Sequence, residues 1–309
     1  MIATVTLNPA VDYTVSLTKP LMKSQVNRTA AEHITAGGKG INVSYILNQL
    51  AIPTTIYGFL AGATGAMLAD AVNALALRTN WISLEGQMNR INLKMEENDA
   101  VTELNGRGIS VDTESLAALT AMLQTYADGD TVVLAGSIPL GAQKDLYTEI
   151  MRQLPKSVRV AVDAEGDALL TVLPMHPFVI KPNLPELSAL FGVSLKTWRD
   201  ALPYGQKLRD MGAQNVLISL AEDGALLFSD DGSIYRMDAP HETVINTVGA
   251  GDSMLAGFLA ACEMELSRED ALRLGIAAGS ATAFAPWLAK KDAIDALFDT
   301  LPAAERITV

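Results

Sequence analysis

The chain of 309 residues carries a net charge of −12, with a hydrophobic fraction of 49% and a charged fraction of 19%. This length suits one large α/β domain, with or without a small appendage, and the composition indicates a globular protein. The negative charge argues against a nucleic-acid-binding protein and against docking on anionic lipid, since both need clustered lysine and arginine. A small anionic substrate, held by a few basic residues in one cleft, stays possible.

The cysteine content and the N-terminus predict the compartment. Cys262 is the single cysteine, so no disulfide can form within the chain, and its apolar helical surroundings predict an inert core thiol. The opening MIATVTLNPA lacks the basic and long apolar segments of a signal peptide. The longest uncharged stretch, LGIAAGSATAFAPWLA, is short for a bilayer span and predicts a tightly packed buried helix. We therefore expect a cytoplasmic protein with no membrane partner.

Strand and helix patterns alternate along most of the chain, and each was assigned from the spacing of its apolar residues. In chain order they predict a strand at 3–7, half-polar strands at 12–17 and 26–36, a helix at 40–52, a strand at 54–61, a helix at 65–77, half-polar strands at 90–97 and 101–105 joined by a turn at 98–100, a helix at 115–127, a strand at 131–137, a helix at 144–154, a strand at 158–165, a short helix at 167–173, a strand at 178–183, a helix at 184–192, a strand at 215–221 and a helix at 271–284 capped by Ser267.

The pattern of these elements predicts a doubly wound α/β layer. Strands such as 131–137 and 215–221 are apolar throughout, as expected of a parallel sheet with helices on both faces. The half-polar regions near 11–35 and 87–106 do not fit that sheet, and we expect them to pair as a small lid with one exposed face. The predicted core is then 1–10, 36–86 and 107–309.

A glycine-rich turn, VGAGDSM, precedes a helical pattern in the last third of the chain. Gly249, Ala250 and Gly251 are predicted to present N–H groups at a helix N-terminus, where the helix dipole stabilises negative charge. Asp252 lies in the first turn, where the same dipole favours its ionised form. A carboxylate there suits a base that takes a proton from a hydroxyl attacking a bound phosphoryl group, and a plain helix cap is the alternative. Met254, at the third-glycine position of a dinucleotide fingerprint, argues against a nicotinamide dehydrogenase.

Two further turns are candidate ligand sites. TAGGKGIN is not a Walker A loop, because Lys39 is followed by Gly40 and not by Ser or Thr. Bare N–H groups beside Lys39 and Asn42 predict an anion or sugar-hydroxyl site, with a plain tight turn as the alternative. AGSIPLG places Ser137 at the carboxyl end of a strand, where α/β folds bind ligands, and a structural turn fits it equally well.

Two more stretches follow predicted strands. KPNLPE carries Lys181 and Asn183, with Glu186 three residues later at a helix start. Asn and Glu at this spacing can hold a hydrated Mg²⁺, and an ordinary acidic helix N-terminus is the alternative. SLAEDGA begins with Ser219 and leads through Gly224 into an apolar stretch, so it is predicted to border a nucleotide, with a hairpin as the alternative.

These motifs occur in the order seen in ribokinase-like sugar kinases. GGKGIN, GSIPLG, KPNLPE, SLAEDGA and NTVGAGDSMLAGF together resemble that family over nearly the whole chain. The opening TVTLNPAVD and the stretch NRINLKM are further similar to its phosphosugar branch, which includes 1-phosphofructokinases, tagatose-6-phosphate kinases and a minor type of 6-phosphofructokinase.

The resemblance implies a fold and a reaction. The fold is a ribokinase-like, Rossmann-like doubly wound sheet with helices on both faces, plus a small β-sheet lid that closes over the sugar and forms a homodimer interface. The reaction is ATP-dependent phosphoryl transfer with Mg²⁺, and the stretch RINLK favours conversion of fructose 1-phosphate to fructose 1,6-bisphosphate. Tagatose-6-phosphate kinase, 6-phosphofructokinase, a kinase of unphosphorylated sugars or nucleosides, and a non-catalytic phosphosugar-binding regulator are the alternatives.

The resemblance also implies residue roles, with Asp252 as the base and Gly249–Gly251 as the anion hole. Arg28 and Arg90 fall on predicted lid strands, and their charge suits a phosphorylated sugar. Glu186 and Asn183 are the expected metal ligands, through water. The remaining roles are sugar hydroxyls for Asp12, Gly37, Gly38 and Asn42, phosphates for Lys39, Arg28 and Arg90, and ATP with its Mg²⁺ for Lys181, Asn183, Glu186, Ser219 and Gly224.

Three departures from the family pattern leave roles open. Asn246 stands where many members have Asp, just before the expected anion hole. Ala221 replaces a frequent glycine in the SLAEDGA loop. Ala164 and Glu165 stand where small hydroxyl residues are common, so the role of the neighbouring Asp163 stays open.

Overall fold

The strands of the protein form one large and one small sheet. The computed structural model describes residues 1–97 and 100–308, so residues 98 and 99 of the predicted turn lie outside the described part. The strands in chain order are β1 (Ile2–Thr6), β2 (Ala10–Leu17), β3 (Thr29–Gly37), β4 (Thr54–Ala61), β5 (Thr79–Leu84), β6 (Arg90–Glu97), β7 (Ala100–Asn105), β8 (Thr131–Ala135), β9 (Arg159–Asp163), β10 (Val179–Ile180), β11 (Asn215–Ser219), β12 (Ala225–Phe228), β13 (Ile234–Met237) and β14 (Glu305–Ile307).

The large sheet has the order β14–β13–β12–β11–β10–β9–β8–β1–β4–β5. From β5 to β11 neighbouring strands run parallel, and β12, β13 and β14 add an antiparallel edge. The strand order reverses beside β1, where β4 lies on one side and β8 on the other. In doubly wound sheets ligands bind beyond the carboxyl ends of the strands near such a point.

Helices cover both faces of this sheet, which confirms the predicted fold class. Successive residues of β8 alternate between two core clusters: Val133 packs into one, and Val132 and Leu134 into the other. This two-sided burial explains why the central strands are apolar throughout. The helices are α1 (Lys39–Gln49), α2 (Gly62–Ala74), α3 (Thr113–Leu123), α4 (Leu146–Gln153), α5 (Asp167–Val172), α6 (Leu184–Phe191), α7 (Trp198–Asp210), α8 (Ala250–Glu263), α9 (Arg268–Ala283) and α10 (Lys291–Thr300).

The two half-polar regions pair as a second sheet of order β3–β2–β6–β7, which we call the lid sheet. Its centre is a parallel pairing of β2 with β6, although β4, α2 and β5 separate them in sequence. Because side chains alternate along a strand, one face is polar and the other apolar. The apolar face carries the register row Ile34, Tyr13, Leu93 and Leu104. The division of the chain into core and lid at 11–35 and 87–106 stays a prediction.

Several elements were not predicted. Helix α7 holds Pro203 in its interior, and most of its residues are polar; a capping box of Thr197 and Asp200 begins it. Strand β5 is a half-buried edge strand whose polar residues hide the pattern. The other omissions are β13, α10 and β14. The cap of α9 agrees with prediction, since the Ser267 hydroxyl accepts from the Asp270 N–H at 3.0 Å.

Candidate active site

The candidate site lies where the parallel strands of the large sheet end. Asp163 is the last residue of β9, Lys181 follows β10, and Ser137 follows β8 by two residues. Helices α1 and α8 both begin at this edge, so their N-termini add positive partial charge. The turns predicted from sequence as ligand sites therefore converge at one edge of the sheet.

The N-terminus of α8 carries the turn that sequence marked as an anion cradle. Gly249 adopts φ +82°, a left-handed conformation, and a Cβ there would lie 2.5 Å from the Leu288 side chain, so only glycine fits. At Gly251 a Cβ would lie 3.1 Å from the Lys181 Nζ atom. The Ala250 N–H donates to the Thr247 carbonyl at 3.2 Å. Of the three predicted donors, the N–H groups of Gly249 and Gly251 thus remain for a ligand.

Asp252 lies in the first turn of α8 with only 6% of its surface exposed. The Asn42 Nδ2 atom donates to its Oδ2 at 2.8 Å. Burial, and then the nearby Asp163 carboxylate, raise the pKa of Asp252 to about 6, against the opposing effect of Lys39. The helix dipole favours the ionised form, but the loss of hydration outweighs its effect of about half a unit of positive charge, so the net shift of the pKa is upward. The carboxyl is thus poised to gain or lose a proton near neutral pH.

Asp163 is the centre of a buried charge cluster. It is fully buried, and its Oδ1 lies 3.1 Å from the Lys39 Nζ, while its Oδ2 lies 3.4 Å from the Lys181 Nζ. Burial opposes ionisation of Asp163, but Lys181 and Lys39 together hold its pKa below the usual value. Burial likewise opposes the charged form of Lys39, yet Asp163 and Asp252 raise its pKa. Lys39 therefore stays cationic beside the α8 turn.

The polar face of the lid sheet surrounds Asp12. The Asn92 Nδ2 donates to its Oδ1 at 2.9 Å, and the Lys94 Nζ donates to its Oδ2 at 2.8 Å. Asp12 also packs against Gly37 so closely that a Cβ there would lie 2.3 Å from Oδ1. This contact joins the lid sheet to the Gly37–Gly38 turn that begins α1.

Arg90 and Ser137 approach the same region through Asn8, which follows β1. The Arg90 Nε donates to the Asn8 carbonyl at 3.0 Å. The Asn8 Nδ2 lies 3.5 Å from the Ser137 Oγ and 3.2 Å from the Arg107 carbonyl that it donates to. A cleft of about 340 Å³ opens here, lined in part by Lys39, Ser137 and Lys144.

Arg28 does not join this group within one chain. It is exposed and precedes β3, so it is not on a lid strand as we expected. In the register of the lid sheet, Thr29 pairs with Leu17, whereas Asp12 pairs with Thr35. The six residue steps from Thr29 to Thr35 correspond to about 20 Å of extended strand. Arg28 therefore lies at the far end of the lid sheet from Asp12.

The predicted metal pair forms a capping box at the start of α6. The Asn183 Oδ1 accepts from the Glu186 N–H at 2.7 Å, and the Glu186 Oε2 accepts from the Asn183 N–H at 2.9 Å. Burial raises the pKa of Glu186, which is half-buried. The capping box thus uses the side-chain oxygen of Asn183 and one carboxylate oxygen of Glu186, as expected of an ordinary helix N-terminus. The Glu186 Oε1 takes no part in the capping box. The metal role of this pair stays a prediction.

The loop predicted to border a nucleotide has residues whose identity the structure explains. Ser219 bridges Asn183 at the end of β11, so this loop and the α6 start are neighbours. Gly224 has φ +86°, and a Cβ there would lie 1.9 Å from the Met237 carbonyl. Ala221, which replaces the family glycine, has φ +53°. Asn246 holds the segment before α8 in place through two hydrogen bonds. Its Nδ2 donates to the Pro286 carbonyl at 3.1 Å, and its Oδ1 accepts from the Val248 N–H at 2.9 Å.

Sequence reasoning missed Lys94 and Asn92, and left Asp163 open. Asp163 ends an apolar strand at the ligand edge, which was a usable signal. Lys94 and Asn92 alternate with Arg90 along β6, so the strand pattern put all of them on one face. Their contact with Asp12 depends on the parallel pairing of β2 with β6, which no local pattern reveals.

Comparison with known proteins agrees with this geometry. Residues 5–287 match the profile of the pfkB family of carbohydrate kinases. The chain belongs to this family. The match confirms the resemblance to ribokinase-like kinases and sets aside a nicotinamide dehydrogenase. In the described ranges of this kinase, none of the helices has both the length and the apolar character to cross a membrane.

Three relatives show how closely this kinase matches known members. It is 40% identical over 298 residues to a 1-phosphofructokinase of Bacillus subtilis, covering 96% of the chain and 97% of the relative. It is 33% identical to a D-tagatose-1-phosphate kinase of Bacillus licheniformis, covering 96% of each. Phosphofructokinase-2 of Escherichia coli, solved in complex with fructose-6-phosphate, superposes with a TM-score of 0.89 at 26% identity, covering 97% of the chain and 98% of that structure.

Proposed function

We propose that this kinase transfers the γ-phosphoryl group of ATP to the 6-hydroxyl of fructose 1-phosphate, giving fructose 1,6-bisphosphate. The observation that carries the chemistry is Asp252: a buried carboxylate with a pKa raised to about 6, in the first turn of α8 and beside two lysines. The similarity to the 1-phosphofructokinase of Bacillus subtilis supports the choice of substrate. With ATP as the proposed donor, we propose that the reaction takes place in the cytoplasm.

The proton and the charge move between named groups. Asp252 accepts the proton of the 6-hydroxyl as its oxygen attacks the γ-phosphorus, and the bond to ADP breaks. Asn42 orients the carboxylate through its 2.8 Å hydrogen bond. The N–H groups of Gly249 and Gly251, with the Lys39 ammonium, stabilise the negative charge that spreads over the phosphoryl oxygens. Protonation of Asp252 also removes its repulsion with those oxygens.

The charge cluster fits ATP and Mg²⁺. The Asp163 Oδ2 is buried and accepts no hydrogen bond from the described residues, although the Lys181 Nζ lies 3.4 Å away as an ion pair, so it has room to bind an oxygen-seeking cation as well. Glu186 offers its second oxygen, and Lys181 provides a cation for the ATP phosphates. Asn183 fits the metal less well, because its oxygen already caps α6. When bound, Mg²⁺ would neutralise charge on the ATP phosphates.

The lid sheet supports a homodimer. Its apolar face leaves Ile34 50% and Leu104 57% exposed, and such a face favours a second copy of the same surface. Arg28 lies at the distal end of this sheet, so we assign its phosphate role to the neighbouring site of a lid-paired dimer. In the same chain Asp12, Gly37, Gly38 and Ser137 are proposed to hold the sugar, and Ser219 and Gly224 to border the nucleotide.

The central test is Asp252→Asn. It keeps the shape and the Asn42 contact but cannot accept a proton, so we expect kcat on fructose 1-phosphate to fall about 10²- to 10⁴-fold with little change in KM. Asp163→Asn is not a matched control, because it breaks the charge cluster; Asp270→Asn on α9, outside the site, is. Unchanged turnover in Asp252→Asn would exclude this carboxylate as the base and favour a non-catalytic binding role.

The substrate is tested with a panel of fructose 1-phosphate, fructose 6-phosphate, tagatose 1-phosphate and tagatose 6-phosphate, with free fructose as the reference. We expect the highest kcat/KM on fructose 1-phosphate. Tagatose 1-phosphate is the second candidate, because a relative at 33% identity is a D-tagatose-1-phosphate kinase. Turnover restricted to free sugars would exclude the proposed function.

A further inference from the structure

The lid sheet brings one lysine to the sugar side of the site. Arg90, Asn92 and Lys94 alternate along β6 and therefore project from the same face. In the parallel pairing of β2 with β6, Asn92 lies directly beside Asp12. Lys94 reaches back along the face, so that its Nζ lies 2.8 Å from the Asp12 Oδ2. The ammonium group is thus held at Asp12, which is next to Gly37.

The Lys94–Asp12 pair is buried, with 12% of each side chain exposed. Burying two charges costs more than their attraction returns unless the remaining hydrogen-bonding capacity is met. Asp12 meets its own through Asn92 and Lys94. An ammonium has three donors, and in the described structure Lys94 gives one of them, to Asp12. Two N–H donors of the buried Lys94 ammonium group therefore remain for a ligand.

Asn92 supplies a second, independent sign of a ligand. A carboxylate only accepts, so the Asn92 amide nitrogen must face Asp12 and its oxygen must point away. That Oδ1 atom is buried, in a side chain 9% exposed, and it has no hydrogen-bond partner among the described residues. Buried acceptors are rarely left without a donor in native proteins. A sugar hydroxyl would meet this need.

We propose that Lys94 is a substrate-binding residue that makes this kinase select phosphorylated over free sugars, and that the Asn92 Oδ1 accepts a hydroxyl of the same sugar. This proposal rests on the function proposed above and adds to it a source of charge within the same chain. Arg28 cannot serve this purpose in its own chain, because it lies about 20 Å along the lid sheet from the level of Asp12. Lys94 adds positive charge at Asp12, on the face that also carries Arg90, and a phosphate dianion would draw on both.

A purely structural role for Lys94 predicts a different outcome. If Lys94 only neutralised Asp12, its replacement would affect phosphorylated and free sugars alike, since Asp12 serves a hydroxyl common to both. If Lys94 binds the phosphate of the substrate, its replacement should lower kcat/KM for the phosphorylated substrate and not for the free sugar. The ratio of kcat/KM values for the two substrates separates these roles, and a general loss of stability does not change it.

The experiment compares Lys94→Gln with Lys94→Arg in the full-length protein. Glutamine still donates to Asp12 but carries no charge, whereas arginine restores the charge. We expect Lys94→Gln to raise KM for fructose 1-phosphate about 10- to 100-fold, with kcat and the weak activity on free fructose changed by less than about threefold. Lys94→Arg should recover most of the loss. Lys23→Gln, an exposed lysine in the segment before β3, is the matched control and should behave as wild type.

Two results would overturn the proposal. One is an unchanged KM for fructose 1-phosphate in Lys94→Gln, and the other is an equal loss on fructose 1-phosphate and free fructose. If Lys94→Gln does not fold, Lys94→Arg decides alone: a KM within about threefold of wild type supports a charge requirement, and a KM as poor as that of an unphosphorylated substrate contradicts it. A wild-type enzyme that shows no preference for the phosphorylated sugar contradicts the proposed function itself, whatever the Lys94 variants do.

Discussion

At the scale of one residue, we expect the proposed base Asp252 to set the pH dependence of the reaction. It must be ionised to accept a proton, and burial together with Asp163 raises its pKa to about 6. We therefore expect kcat to be level above about pH 7 and to fall about tenfold for each unit of pH well below the pKa. A raised pKa places the loss on the acid side, since the protonated form is the inactive one.

The measurement is kcat at saturating fructose 1-phosphate. The second ionisation of a phosphate ester also lies near about pH 6 and affects binding, so KM alone would confuse the two. Turnover of the bound complex reports on groups of the enzyme–substrate complex. A kcat that stays level down to about pH 4.5 would contradict the assigned base.

Local sequence predicted those site residues whose role is local. At the α8 turn and at the start of α1, glycines next to a helical pattern predict an anion site. Asp252, Lys39 and Asn42 could therefore be named as candidate site residues from sequence alone. The partners of Asp163 and Lys94 could not be predicted, because they lie far along the chain: 124 residues separate Lys39 from Asp163, and 82 separate Asp12 from Lys94. The raised pKa of Asp252 could not be predicted either, since burial is a property of the folded molecule.

At the scale of single elements, helix α2 ends in a strained position. Ala76 follows its C-terminal cap with φ +56°, where glycine is usual and an L side chain crowds the backbone. We expect Ala76→Gly to increase the free energy of unfolding by about 0.5–1 kcal/mol, the relief of strain less the added freedom of the unfolded chain.

The same substitution two residues earlier is the control. Ala74 is the last residue of α2, is exposed, and is helical, so Ala74→Gly should lower the free energy of unfolding by about 0.5–1 kcal/mol. Urea denaturation of both variants measures the difference. Equal destabilisation by both would show that the left-handed position is not strained.

Strands could be predicted from sequence where both of their faces are buried, or where buried and exposed side chains alternate strictly. The central strands were recognised by their continuous apolar runs, and the lid strands by alternation. Helix α7 was not, because Pro203, the sixth residue of the helix, is of a type that usually ends a helix. Edge strands such as β5 are not buried on both faces, so they lack the continuous apolar runs by which the central strands are recognised in the sequence.

At the scale of the whole molecule, the apolar face of the lid sheet predicts the oligomeric state. We expect the protein to be a dimer, and Ile34→Glu combined with Leu104→Glu to make it a monomer, because four charges would meet in one apolar interface. Sedimentation velocity measures the change. Activity on fructose 1-phosphate should fall with it, since the partner's Arg28 no longer reaches the site.

The control is Met67→Glu on α2, which is also an exposed apolar residue, 42% exposed, but lies outside the lid sheet. It should remain a dimer with full activity. A monomeric wild-type protein with normal turnover would contradict both the lid-paired dimer and the role given to Arg28.

The lid sheet is joined to the core by very short connections. Strand β1 ends at Thr6 and β2 begins at Ala10, while β3 ends at Gly37 and α1 begins at Lys39. In the function proposed above, the core contributes the proton acceptor and the cations around the transferred group, and the lid contributes Asp12, Asn92 and Lys94. Most of the chemistry then lies in the core, and part of the sugar selectivity lies in the lid. We expect that exchanging side chains of the lid can change the acceptor sugar while the residues of phosphoryl transfer stay the same.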